Sequence, residues 1–349
     1  MATRFELVLY GENPSALRVA GEEALEEIRR LEAQLSPFRP SSEIAHVNAR
    51  AWREPVRVTP SLMRLLQHAH KLSAETQGAF DITIGPLMRL WGFRGGGGRM
   101  PESEELAAAR ASVGMLHVQL DTKDYTVRFA RAGMTLDLGA IGKGYAIEQA
   151  VEILRERGVT SALLHGGTST VYGLGTPPQG EVWLVAVEDP DTKQTPPIRD
   201  PSEAAGANPG AYRILTMAQR EAAPLAEAEP IATIPLLDEA LSLSGIWGRY
   251  FEAGGKTLGH IIDPQTGKPA SRAVMSAVVL PSATETDALS TALLALGPEG
   301  HEFIAGLRPG MRTLVVSGSG EERQSKARGI EVRGVKAGQR TPGKCPFEN

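Results

Sequence analysis

The chain has 349 residues, with 37 Lys and Arg against 41 Asp and Glu (net charge −4), 42% hydrophobic residues and 22% charged. At roughly 150 residues per domain this length suggests about two domains or one elaborated one, while the composition excludes wholesale disorder and a membrane-spanning chain, and the near-neutral balance excludes the single-sign field of a nucleic-acid binder. Its single cysteine, Cys345, rules out an internal disulfide and a thiolate metal site, and glycine alone departs from ordinary usage, at 38 residues, about 11% against about 7%.

Residues 1–10 alternate like a strand and lack the apolar run and cleavage site of a secretory signal. The chain as written is therefore expected in the cytoplasm, or in the periplasm or anchored at a membrane where a leader has been removed. Asn13 and Pro14 read as the N-cap and first residue of a helix, with Leu17, Ala20, Ala24, Ile28, Leu31 and Leu35 at helical spacing up to Ser36-Pro37. Thr59-Pro60 opens a second helix, buried through Leu62, Leu65, Leu66, Ala69 and Leu72, with Gly78 as its stop. A third is predicted from Gly142 to Arg157, ended by Gly158. Short strands follow at 162–164, 171–174 and 183–187.

From 189 to 230 seven prolines punctuate a stretch with little apolar periodicity, which reads as a Pro-rich surface insertion. Strand-like patterning returns at 249–251, 258–262 and 274–280, before a helix near 287–296. The tail, 334–349, has no core-forming pattern. Because strands and helices alternate without an even βαβ rhythm, the fold class is α+β, with one domain over 1–333.

Four segments carry candidate chemistry. Asp287 and Thr291 lie four apart on a helix and project from one face. Their oxygens suit a hard cation such as Mg²⁺, and the alternative is a first-turn helix acid beside a half-buried threonine. The run from Leu136 to Ala146 looks like a strand end feeding a Gly-rich turn and a helix, with Lys143 in the turn. It is either an anion site or simply a tight turn, and it is no Walker A loop because Gly144 follows the Gly-Lys pair. His260, at a strand end before Asp263-Pro264-Gln265-Thr266-Gly267, is a general base or a capped polar residue. The aromatic and glycine cluster from Gly78 to Phe93 frames a flat ligand or packs a core.

Three strings occur here in a specific order: Asp137-Leu138-Gly139-Ala140-Ile141-Gly142-Lys143-Gly144-Tyr145-Ala146, then His260-Ile261-Ile262-Asp263-Pro264-Gln265-Thr266-Gly267, then Ala283-Thr284-Glu285-Thr286-Asp287-Ala288-Leu289-Ser290-Thr291-Ala292. Together with Gly78-Ala79-Phe80-Asp81 they resemble the ApbE family of FAD:protein FMN transferases over nearly the whole chain outside the insertion and tail. The resemblance implies mixed sheets packed with helices and an enzyme that moves FMN from FAD to a Thr or Ser hydroxyl of an acceptor protein, releasing AMP. It implies Mg²⁺ held by Asp287, Thr291 and the backbone carbonyl of Ala140, and FAD contacts at Met1, Phe38, Ala79, Phe80, Asp81, Asp137, Lys143 and Ile262. His260, with Asp287, is the implied catalytic pair, and the implied partner is a flavoprotein or redox-complex subunit. The chain departs from the family at Ser244-Gly245-Ile246-Trp247, where relatives commonly carry Ser-Gly-Asp-Tyr. An FAD-binding protein without transferase activity, and an Mg²⁺-dependent FAD pyrophosphatase giving FMN and AMP, are the alternatives. More than half of the glycines fall within 78–98, 139–175 and 245–267, which reads as backbone cleared for close approach to FAD.

Overall fold

Local signals set the main helices. In the computed structural model, the Asn13 side chain accepts the Ala16 N–H at 3.1 Å and Pro14 occupies the first turn, while the Thr59 hydroxyl accepts the Leu62 N–H at 3.4 Å ahead of Pro60. Both are N-caps that satisfy donors no helix can satisfy for itself. The structure describes residues 4–94, 97–190, 230–247 and 249–333, with the backbone of 213–215 and 336–337. Met1, Cys345, most of the insertion expected at 189–230 and most of the tail expected at 334–349 lie outside the described residues.

In chain order the first half contains β1 (Phe5–Tyr10), α1 (Pro14–Leu35), α2 (Glu43–Arg50), β2 (Val56–Arg57), α3 (Pro60–Glu75), α4 (Gly85–Leu90), α5 (Ser103–Arg110), β3 (Val118–Asp121), β4 (Thr126–Phe129) and α6 (Gly142–Glu156). Then come β5 (Ser161–Gly166), β6 (Thr170–Leu174), β7 (Trp183–Val187), β8 (Arg213–Leu215), β9 (Ala232–Leu236), β10 (Glu239–Gly245), β11 (Tyr250–Ala253) and β12 (Lys256–Gly259). The chain finishes with β13 (Met275–Leu280), α7 (Ala283–Leu296), α8 (His301–Ala305), β14 (Arg312–Ser317), β15 (Gln324–Arg328) and β16 (Lys336–Ala337).

Nine strands form one mixed sheet in the order β16-β15-β14-β13-β10-β6-β5-β1-β8, antiparallel except for the outer pairs β15–β16 and β1–β8. Successive side chains on a strand point to opposite faces, and the burial follows that period. On β13, Val278 and Leu280 join the core under the helices, while Met275, Ala277 and Val279 join a second core beneath the β7–β9 ribbon. The sheet is thus covered on both faces. α7 sits at the centre of the helical layer, buried at twelve of its fourteen positions, and packs on α6, which packs in turn on α1.

Three expectations need correction. α7 begins at Ala283, capped by Ser282, so Asp287 lies in the second turn rather than the first. The segment before the Gly-rich turn is not a sheet strand: Thr135 makes an isolated bridge to Ile84, and Leu136 is held by Asn48, which donates to its carbonyl at 3.0 Å and accepts its N–H at 2.6 Å. The strand expected at 258–262 ends at Gly259, because the chain turns there to pair Ile262 with Pro269.

Candidate functional site

Two helices meet at Asp287. The Gly144 N–H, in the first turn of α6, donates to Asp287 Oδ2 at 3.0 Å, and Lys143 Nζ stands 3.5 Å from Asp287 Oδ1. A Cβ on Gly144 would lie 2.1 Å from the Ala283 carbonyl oxygen and 2.8 Å from Asp287 Cβ, so only glycine lets α7 come this close. The room left by this glycine is filled by protein, not held open for a ligand, which corrects the reading of the glycine excess at this position. α6 in turn caps α7, since Glu148 accepts from the Ser282 hydroxyl at 2.7 Å and from the Thr284 N–H at 2.9 Å.

Asp287 is only 4% exposed. A carboxylate that deep needs positive charge or several donors, and it has one backbone N–H and one lysine beyond hydrogen-bond range. Thr291 lies one turn on, its hydroxyl donating to the Asp287 carbonyl at 3.2 Å and 3.4 Å from the Ser244 hydroxyl, which sits 2.9 Å from that of Ser290. Ala140 lies in the turn that leads into α6, and Lys143 reaches back over that turn to the Gly139 carbonyl at 3.2 Å. The described residues hold no group of three or more His, Cys, Asp or Glu placed to bind a metal. One carboxylate with hydroxyl and carbonyl oxygens is nevertheless a donor set that a hard cation accepts, and the under-satisfied buried carboxylate fits it.

Asp137 anchors the other side of the turn. Its carboxylate accepts the Gly139 N–H at 2.8 Å and pairs with the Arg94 guanidinium, which lies 5.3 Å from the centre of the Phe38 ring. His260 leaves β12 with its N–H on the Arg249 carbonyl at 2.8 Å and Nδ1 3.2 Å from the same oxygen. Removal of water from around the ring, reinforced by the charges of Arg249 and Lys143, pushes its pKa from 6.5 down to about 4. It is therefore neutral at ordinary pH. Nδ1 also receives the Arg249 N–H at 3.3 Å: the tautomer that donates from Nδ1 to the Arg249 carbonyl leaves the lone pair on Nε2, and the one that accepts the Arg249 N–H leaves it on Nδ1.

The remaining expected contacts lie differently. Ala79, Phe80 and Ile262 are buried, the last in a cluster with Leu87, Trp91, Phe93 and Phe251, so their side chains serve packing, and the N–H groups of Ala79 and Phe80 are taken by the Thr76 carbonyl at 3.0 Å and the Thr76 hydroxyl at 3.1 Å. Asp81 accepts from the Thr83 N–H at 2.7 Å, the Thr83 hydroxyl at 2.6 Å and the Met115 N–H at 3.0 Å, and burial pushes its pKa up against those bonds. It lines a cavity of about 380 Å³ with His70, Gln77, Met115 and Gln265. The Asp137 N–H donates to the Ile82 carbonyl at 2.6 Å, which sets this region beside the Gly-rich turn. Met1 lies outside the described residues. The sequence reading missed Arg94, one residue beyond the aromatic cluster, and Glu148. A cation directly before the glycine run was the available signal for the first, whereas nothing in the spacing marks the second.

A family model described as the ApbE family matches residues 1–315. The chain is 30% identical over 315 residues to the FAD:protein FMN transferase of Treponema pallidum, covering 88% of this chain and 80% of the relative. It is 31% identical over 271 residues to that of Vibrio cholerae, with 76% and 70% covered. Among solved structures, the ApbE protein of Thermotoga maritima superposes with a TM-score of 0.71 at 27% identity, covering 89% of both chains. The flavinyl transferase ApbE of Pseudomonas stutzeri gives 0.70 at 28%, with 91% and 88% covered.

Proposed function

The chain belongs to the ApbE family, and from that premise we propose that it is an FAD:protein FMN transferase, moving FMN from FAD to a Thr or Ser hydroxyl of an acceptor protein in a Mg²⁺-dependent reaction. The observation that carries this reading is the buried Asp287 carboxylate, under-satisfied beside Lys143 at the junction of α6 and α7. The acceptor is a flavoprotein or redox-complex subunit, and the whole of 1–333 acts as one catalytic domain.

In the reaction a hydroxyl oxygen attacks the phosphorus on the flavin side of the pyrophosphate. The new P–O ester bond forms, the P–O bond to the adenylate breaks, and AMP leaves with the bridging oxygen. Such chemistry asks for positioning, charge neutralisation and a base for the hydroxyl. The start of α6 brings the positive end of a helix to the Gly-rich turn, whose Gly139, Ile141, Gly142 and Gly144 N–H groups are taken by Asp137, Leu138 and Asp287. Lys143 brings a charge to the same place. His260, in the tautomer whose Nδ1 donates to the Arg249 carbonyl, accepts the proton of the attacking hydroxyl at Nε2. Asp287, Thr291 and the Ala140 carbonyl would hold Mg²⁺, which supplies charge withdrawal from the pyrophosphate oxygens. Phe38, Asp81, Asp137, Ile262 and the 79–80 backbone bind FAD, with Met1.

Incubation with FAD, Mg²⁺ and a candidate acceptor domain tests this reading. The expected result is a fluorescent acceptor band whose mass has grown by one FMN, with AMP released. Free FMN and AMP with an unmodified acceptor would identify a pyrophosphatase instead, and FAD retained without AMP would identify a binding protein.

A further inference from the structure

We propose that Arg94 is a positioning residue for the dinucleotide, locking the Phe38 ring and the Asp137 carboxylate into one unit that presents Phe38 as a stacking face for a planar ring of FAD. This rests on reading the site as one for a flavin dinucleotide.

Phe38 is 65% exposed, an unusual position for a phenyl ring in a segment otherwise tied down. The Ser36 hydroxyl accepts the Phe38 N–H at 3.3 Å, and the Ser42 hydroxyl donates to the Ser36 carbonyl at 2.5 Å. The backbone of this turn is thus fixed while its largest apolar side chain stays uncovered. Its contact with Arg94 orients the ring: a guanidinium over an aromatic face is attracted by the ring quadrupole.

Arg94 is itself held. Its side chain and that of Asp137 are each 13% exposed, and the two are ion-paired. The loop that carries it is pinned by Phe93, whose N–H donates to the Met88 carbonyl at 3.0 Å and whose ring lies 5.5 Å from that of Phe251. The Arg99 N–H closes the loop on the Trp91 carbonyl at 3.1 Å. One planar cation therefore touches a ring and a carboxylate that come from segments 99 positions apart. Only arginine does both at once, because its flat fork can stack and pair together, whereas lysine is a point charge. A ring held in this way loses little freedom on binding, and that pre-organisation lowers the cost of stacking a flat ligand. The neighbouring Asp137, tied to Arg94 and to the Gly139 N–H, fixes the edge of the phosphate-facing turn by the same contact.

The test is equilibrium binding in the absence of Mg²⁺ and acceptor, with FAD and FMN read by flavin fluorescence and AMP by its displacement of bound FAD. Arg94→Ala is expected to weaken FAD binding by about tenfold and, in a separate turnover assay with Mg²⁺ and acceptor, to raise KM for FAD by a similar factor with little change in kcat. The same loss shown by FMN or by AMP identifies which planar half stacks on Phe38. Arg94→Lys is expected to recover no more than a small part of the affinity. Combined with Phe38→Ala, Arg94→Ala is expected to cost almost nothing further, since the two act as a unit. Arg94→Gln with unchanged thermal stability guards against misfolding as the cause. Unchanged FAD affinity in Arg94→Ala, strict additivity with Phe38→Ala, or a loss confined to kcat would overturn the inference while leaving the transferase reading intact. A wild-type chain that binds no FAD would overturn the transferase reading, and this inference with it.

Discussion

Glu285 and Asp287 stand two residues apart on one buried helix and lead different lives. At about 100° per residue they point to opposite sides of α7. Glu285 faces α3 and the end of α8, where Arg308 donates to both of its oxygens at 2.8 and 3.0 Å and His68 lies 3.2 Å away, with Glu75 completing the cluster on Arg308. Burial alone would raise its pKa, but the hydrogen bonds from His68 and Arg308 hold it down at about 2. Asp287 faces α6 with a single backbone donor and a lysine 3.5 Å off. The first acid has spent its acceptor capacity on the fold, and the second keeps capacity for something else. Residue type, helix and burial do not tell a structural acid from a functional one; the tally of partners does.

This contrast breaks most sharply at Asp287. Asp287→Ala is expected to lower acceptor flavinylation by about a thousandfold, the scale of losing a group that neutralises developing charge, while circular dichroism and the melting transition stay near wild type. Equal flavinylation in Mg²⁺ would end the comparison. His260→Gln removes the proposed base and is expected to cost about a hundredfold in kcat. In the wild type, kcat/KM should be insensitive to His260 between about pH 5 and 8 and fall as the pH drops through about 4, where the ring takes up its proton. A limb near 6.5 would mean that the ring is solvated in the working enzyme.

Stability tests sharpen the other half. Gly144→Ala forces the α6–α7 contact apart at the Ala283 carbonyl, and an overpacking loss of about 1–3 kcal/mol is expected in chemical denaturation. Activity should fall with it, because the same contact seats Asp287. Glu285→Gln leaves Arg308 with Glu75 alone, and about 1–2 kcal/mol is expected after allowance for partial exposure, with flavinylation by the folded enzyme unchanged. The pH dependence follows from the sign of the shift. The Glu285 pKa is depressed in the folded state from 4.5 to about 2, so its contribution is whole above 4.5 and is lost as pH falls through that window. Denaturation midpoints measured from pH 6 to 2 should show a smaller acid-side drop in Glu285→Gln than in wild type.

Much of this molecule is written locally. Asn13-Pro14 and Thr59-Pro60 begin helices wherever apolar residues follow at helical spacing, and Gly158 ends one, because caps and stops depend on a handful of adjacent residues. The motif strings around Asp137, His260 and Asp287 likewise identify the family without any coordinates. α2, α4 and α5 were not legible, since each spans eight residues or fewer and gives too few turns for a period to emerge. The start of α7 was misplaced for a related reason: the helix is apolar nearly all round, and its cap relies on Ser282 together with Glu148 from another helix.

What the sequence by itself determined is the α+β class, the principal helices and strands, the family and the residues worth testing, because each rests on chemistry confined to a short stretch of chain. Only the tertiary structure decided that Glu285 is saturated and Asp287 is not, that the space beside Gly144 belongs to α7, and that Arg94 joins Phe38 to Asp137. Those facts concern partners tens to more than a hundred residues apart in the chain. A carboxylate's role depends on which donors reach it and how much water remains around it, and both are set when helices and sheet close on one another.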